Sequence, residues 1–103
     1  MATLVSLSSY ERGNESYSRG QYDEAIERYT DALESLAIDD ELRARCLANR
    51  AQCWAQLREP ARAAADCDAV LARDPANLKA RARRMLAREA LERWADALAD
   101  ADA

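Results

Sequence analysis

Residues 13–33, Gly-Asn-Glu-Ser-Tyr-Ser-Arg-Gly-Gln-Tyr-Asp-Glu-Ala-Ile-Glu-Arg-Tyr-Thr-Asp-Ala-Leu, return twice in altered form farther along the chain. Shifted by 38 and then by a further 34 positions, Ala25 falls on Ala63 and Ala97, Tyr22 on Pro60 and Trp94, and Gly13 on Ala51 and Met85; at the first shift Leu33 falls on Leu71. One offset serves every column, so the chain is built from a supersecondary unit stacked on its own copies, each covering an apolar face that it could not bury alone. The extra four residues of the first interval fall in the stretch 36–40, where an insertion lengthens a loop without disturbing packing.

The unit is helical. Two glycines and two prolines in 103 residues, amid abundant Ala, Leu, Arg and Glu, suit helices and leave too little punctuation for a turn-rich β protein. Breaks at 18–21, 37–40, 58–60 and 74–77 predict helices over about 4–18, 22–36, 40–57, 60–72, 77–91 and 93–103. Asp40 is placed to cap the third and Asn77 the fifth, and Pro60 suits the first turn of the fourth. The expectation is an all-α chain of three helical hairpins.

A period of 34 residues, paired helices, a small residue in each unit and an aromatic at the hairpin turn resemble the tetratricopeptide repeat (TPR) over residues 6–103. The resemblance implies one domain spanning 1–103, with repeats at about 6–39, 44–77 and 78–103. They would form a right-handed superhelical stack of three helix-turn-helix pairs, the third lacking a clear C-terminal capping helix. In this arrangement Ala25, Ala63 and Ala97 let neighbouring helices approach, while Tyr29, Leu33, Trp54, Leu57, Val70, Leu71 and Leu91 fill the spaces between them. Tyr22 and Trp94 are expected to pack at the turns. Arg81 and Arg88 depart from the pattern, occupying columns that the family usually fills with apolar residues.

Several function classes are disfavoured by composition. A formal net charge of -4 repels nucleic acid and anionic membrane surfaces as a whole, so any anion must be met locally. No apolar run approaches the roughly 20 residues needed to cross a bilayer. Cys46, Cys53 and Cys67 are an odd number at spacings foreign to metal sites; with no histidine in the chain they read as reduced packing residues of a cytoplasmic protein. Without histidine, a glycine-rich phosphate loop or a nucleophile beside a base, neither an enzyme nor a cofactor is expected.

The charges are sorted by helix. Residues 77–92 carry a net +3 and residues 41–57 a net +2, whereas 22–37 carry -4 and 93–103 carry -2. In stacked repeats the first helices of each pair line a concave groove, so positive charge gathers there and suits an extended anionic ligand. Lys79 and Arg83, four apart, share a helix face, and Asn14 and Asn49 bring neutral amides from the two preceding first helices. Lys79 is also the one lysine among fifteen basic residues.

The strings Arg12-Gly13-Asn14, Asn49-Arg50 and Lys79-Ala80-Arg81-Ala82-Arg83-Arg84 resemble the two-carboxylate clamp of co-chaperones that hold the C-terminal Glu-Glu-Val-Asp tails of cytosolic seventy- and ninety-kilodalton heat-shock chaperones. The resemblance implies that Asn14 and Asn49 hold the terminal main-chain carboxylate and that Lys79 and Arg83 grip the last acidic residues. The position where the clamp has a lysine, one turn before the first asparagine, is Tyr10, whose hydroxyl offers a hydrogen bond but no charge. Gln52 and Gln56, with Glu89 and Ala90, are expected to face the upstream part of the tail. Two other readings stay open: a groove of the same architecture for a different acidic or C-terminal peptide, and a scaffold for assembly within a larger protein. An uncovered end at Leu91, Trp94 and Leu98 predicts either self-association through the third repeat or derivation from a longer parent.

Overall fold

The computed structural model describes the backbone of residues 2–36 and 38–102 and the side chains of residues 4–36 and 38–93. Five helices follow one another: α1 (Ala2–Ser18), α2 (Tyr22–Leu33), α3 (Asp40–Gln56), α4 (Pro60–Arg73) and α5 (Leu78–Asp102), with no strand among the described residues. Each helix packs on the next, and α1 and α5 each also touch α3, which makes α3 the centre of the stack. No helix among the described residues is long and apolar enough to cross a membrane.

Local signals explain most of the boundaries. Asn77 caps α5, its Oδ1 accepting from the Ala80 amide at 3.0 Å, and Pro60 opens α4 as the sequence suggests. The cap of α3 is Asp39 rather than Asp40: Asp39 Oδ1 accepts from the Leu42 amide at 2.7 Å, while the neighbouring Asp40 pairs with Arg73 of α4. Two adjacent aspartates compete for the cap, and the one three residues before the free amide wins. Helix α2 stops at Leu33, short of the expected residue 36.

α1 and α3 end the same way. The Gln21 and Gly20 amides donate to the carbonyls of Ser16 and Tyr17, and the Glu59 and Arg58 amides donate to those of Trp54 and Ala55. Both ends are Schellman motifs closed by a left-handed residue, Gly20 at φ 75° and Arg58 at φ 60°. The repeat places Glu92 in the same column, yet α5 runs through it without a break. Residues 93–102 therefore continue α5 where a separate sixth helix was expected over 93–103: no glycine or proline stands at 91–93 to interrupt a run of good helix formers. Trp94, Ala97 and Leu98 lie outside the described side chains.

Two apolar clusters hold the stack. Tyr29, Ala25 and Ala32 of α2 meet Leu42, Cys46 and Cys53 of α3, and on the other side of α3 Leu47 joins Val70, Leu71 and Ala80. Ala63 is buried as the repeat predicts, and Leu33, Trp54, Leu57 and Leu91 are half-buried rather than fully enclosed. Tyr22 packs edge-on against Tyr17 with ring centroids 5.5 Å apart, the turn role expected of its column. All three cysteines are free and buried, and among the described residues no cluster of ligands could hold a metal.

The tightest approach is between α1 and α2 at Gly13. A Cβ there would lie 2.6 Å from Tyr29 Cε1 and 2.7 Å from Cδ1, so the ring occupies the space that any side chain would need. Two substitutions should move stability in opposite directions in a denaturant titration. Gly13→Ala is expected to cost about 1–3 kcal/mol by forcing the Tyr29 ring out of place. Arg58→Gly is expected to gain up to about 1 kcal/mol by relieving a left-handed arginine.

Candidate functional site

Asn14, near the C-terminal end of α1, is fixed from below. The buried Tyr29 hydroxyl donates to Asn14 Oδ1 at 2.6 Å, and Asn49 Nδ2 of α3 donates to the same oxygen at 3.0 Å. With Oδ1 taken twice, the Nδ2 amide is the part of Asn14 left for a ligand, and Asn49 keeps its second amide hydrogen. The Tyr29 phenol is held protonated, because burial first, then the neighbouring Cys53, pushes its pKa well above the ordinary 10.0. Its role as donor to Asn14 is thereby secure across the physiological range.

Around this pair the concave side opens into three adjoining cavities. One of about 400 Å³ is lined by Asn14, Tyr17, Ser18, Asn49, Gln52 and Arg83, with the edge of Tyr29 at its floor. A second, of about 240 Å³, lies between α3 and α5 and brings together Asn49, Asn77, Lys79 and Arg83. A third, of about 350 Å³, is mostly apolar, walled by Ala51, Ala55, Pro60, Ala63, Leu86 and Ala90, with Gln52, Arg58 and Arg83 also on its lining. Arg83 borders all three. Among the described residues neither Lys79 nor Arg83 has an ion-pair partner, so both charges remain available to an anion.

Several other cations are already engaged. Arg50 forms a two-pronged pair with the buried Asp66 of α4, Nε to Oδ2 at 2.9 Å and Nη2 to Oδ1 at 2.7 Å, and its Nη1 donates to Thr30 of α2 at 3.1 Å. These hydrogen bonds to Asp66 raise the guanidinium pKa further, against the penalty of burial. Arg84 turns to Asp68 at 3.1 Å, and Arg45 to Glu41 at 2.7 Å. Arg81 and Arg88, the two departures in the third repeat, are exposed on α5.

Of the seven residues singled out from the sequence, Asn14, Asn49, Gln52 and Arg83 come together in one cavity, and Lys79 joins Asn49 and Arg83 in the next. Tyr10 and Gln56 line none of the three. Tyr10 is half-buried, its ring tilted 45° to that of Tyr29 with centroids 6.1 Å apart, and Gln56 is exposed. Glu89 is exposed outside the apolar cavity, whereas Ala90 forms part of its wall. Sequence reasoning missed Tyr17 and Ser18, which stand three and four residues after Asn14. It also assigned Tyr29 to the core alone; an aromatic beneath a glycine-asparagine pair is the signal for its second role.

No family model matches the chain. The first TPR domain of Spaghetti (RPAP3), solved bound to the HSP90 peptide SRMEEVD, is 33% identical with a TM-score of 0.76, the match covering 88% of this chain and 69% of that one. Its second TPR domain, bound to the same peptide, is 31% identical with a TM-score of 0.76, covering 95% of this chain and 87% of that one. The chain belongs to the tetratricopeptide-repeat family. Among curated proteins, the DnaJ homolog subfamily C member 7 homolog of Schizosaccharomyces pombe is 37% identical over 89 residues, 86% of this chain. The TPR unit described here spans 19% of that relative's length.

Two measurements probe how the site is held. Removing either member of the Arg50–Asp66 pair strands a buried charge, so Arg50→Ala or Asp66→Ala should each cost about 3–5 kcal/mol, while Arg50→Met with Asp66→Leu should recover most of the loss. Equilibrium unfolding of the singles and the double checks this. Burial raises the Cys46 and Cys53 thiols from 9.0 to about 11, so the unfolded chain releases these protons first as pH rises. The contribution of these thiols to the unfolding free energy should be constant below about pH 8 and fall through pH 9–11, with Cys46→Ser and Cys53→Ser flattening the fall.

Proposed function

We propose that this TPR domain is a peptide-binding adaptor of the co-chaperone kind, which captures the acidic C-terminal tail of heat-shock chaperones ending in Glu-Glu-Val-Asp. The observation that carries the reading is the convergence of Asn14, Asn49, Lys79 and Arg83: two oriented amides beside two unpaired cations, contributed by α1, α3 and α5. The two amides would take the terminal main-chain carboxylate, and Lys79 and Arg83 the acidic side chains before it. Charge-assisted hydrogen bonds of this type are shorter and stronger than neutral ones.

Support for a tail of the ninety-kilodalton class comes from the third cavity. The peptide on the two Spaghetti domains has a methionine immediately before its Glu-Glu-Val-Asp end. An apolar pocket bordered by Arg83 is suited to an apolar side chain upstream of the acidic residues. Gln52, on the rim of both this pocket and the amide cavity, would bond the peptide backbone between them.

Tyr10 modifies this clamp. Its ring is packed toward Tyr29, and it supplies no cation to the end of the groove where the resembling clamps have one. A hydrogen bond to a charged group contributes roughly 1.5–3 kcal/mol, so affinity should be about tenfold or more below that of a five-residue clamp.

Titration calorimetry with Met-Glu-Glu-Val-Asp, its C-terminal amide and the alanine variants tests the proposal. Micromolar binding of the free acid is expected, lost with the amide and with Arg83→Ala, and strengthened about tenfold by Tyr10→Lys. Absence of heat with the free acid, for both the natural chain and Tyr10→Lys in folded form, would overturn the chaperone-tail reading.

A further inference from the structure

We propose that α5 is a self-pairing surface: two copies of this chain associate through antiparallel contact of their α5 helices, the basic half of each lying along the acidic half of the other. The polarity is written into the helix. Residues 78–88 hold Lys79, Arg81, Arg83, Arg84 and Arg88 and no acid, whereas residues 89–102 hold Glu89, Glu92, Asp96, Asp100 and Asp102 against Arg93 alone. Side by side and parallel, two such helices would repel along their whole length. Antiparallel, they attract along all of it, and a two-fold axis near the middle makes the contact self-complementary.

The packing leaves α5 available for this. Ala80 and Ala87 are buried against the rest of the stack, and on the opposite face Leu78 and Met85, seven residues apart, are 77% and 63% exposed. In the repeat, Met85 occupies the column of Gly13 and Ala51, both buried where a following helix covers them. Here nothing among the described residues does so, since α5 meets only α3 and α4. A second copy answers this need: its acidic half covers Leu78 and Met85, and its basic half lies along the acidic half of the first. Lys79 and Arg83 project about 100–140° around the helix from Leu78, so pairing leaves the amide-lined groove open.

A second candidate occupant is the chain's own segment 93–102, reversed onto α5. That would need a left-handed turn at Glu92 like those at Gly20 and Arg58, and Glu92 is helical. Sedimentation equilibrium of the peptide-free chain separates the two. At low salt, about 50 mM, the mass should rise with concentration from 11.5 kDa toward twice that value, and fall back at about 0.5 M salt, where charges are screened over a few ångströms.

Arg81→Glu with Arg88→Glu, and separately Glu89→Arg with Glu92→Arg, change only exposed positions. Each should weaken association at least tenfold while leaving the helical circular-dichroism signal intact. An equimolar mixture of the two double variants should restore the heavier species, because each reversed half meets its complement. A monomeric mass at every concentration, association indifferent to the charge reversals, or no restoration on mixing would each overturn the proposal.

Discussion

The placement of the Asn14–Asn49 pair depends on the contact between Gly13 and Tyr29. Because α1 carries no side chain at residue 13, the Tyr29 ring occupies the space beside its backbone, and the phenol hydroxyl reaches Asn14 one residue farther on. A larger residue at 13 would separate α1 from α2 and withdraw the donor that fixes the asparagine. Once Asn14 is fixed, its oxygen draws in Asn49 from α3, and two helices that barely touch through their backbones are joined by a side-chain bridge. Packing at a glycine thus becomes the orientation of an amide.

Arg50 does for the far side of the stack what Tyr29 does for the near side. Its guanidinium spans from Thr30 on α2 to Asp66 on α4, locking the helix that carries Asn49 between its neighbours. The planar fork makes this geometry possible; a lysine could offer neither the parallel pair to Asp66 nor a third bond at a fixed angle. The positive charge that the sequence assigns to the first helices therefore has different fates. Arg50, Arg84 and Arg45 are neutralised by carboxylates and organise or decorate the stack, Arg81 and Arg88 stand exposed on α5, and Lys79 and Arg83 stay unpaired beside the amides. Net charge per helix located the groove without saying which cations serve it.

What was legible in the sequence is what a repeat makes redundant. The columns of Ala25 and Ala63 predicted buried contacts because the same residue type met the same neighbour twice, and Asn14, Asn49 and Arg83 were found because their helices occupy equivalent places. Features that occur once were harder to read. The cap of α3 fell on Asp39 instead of Asp40 because both residues are competent and only backbone direction chooses between them. Arg58 takes a left-handed conformation that its identity disfavours, imposed by a turn that its counterpart Gly20 adopts freely. The reverse holds at Glu92: the column asks for a turn, but the local residues favour helix and the local preference prevails. Tyr10 was assigned to the groove because it stands where the resembling clamps have a lysine, but an aromatic ring gains more from packing beside Tyr29 than from standing in water at the groove's edge.

Under the proposed function, these placements decide where the cost of binding falls. In a groove whose amides are already held by Tyr29 and by each other, little side-chain freedom is lost when a carboxylate arrives, so the ordering cost rests on the flexible peptide. Lys79 is the exception, since its exposed side chain must be immobilised on contact. Arg83 is half-buried, borders all three cavities, and is restrained by the walls it helps to form. Of the two cations, Arg83 should contribute more net free energy per bond and set which ligand is accepted, because any ligand that fills the amide cavity must also satisfy it. Under the proposed function Lys79 would add long-range attraction, which an acidic protein needs to draw an acidic tail toward this surface.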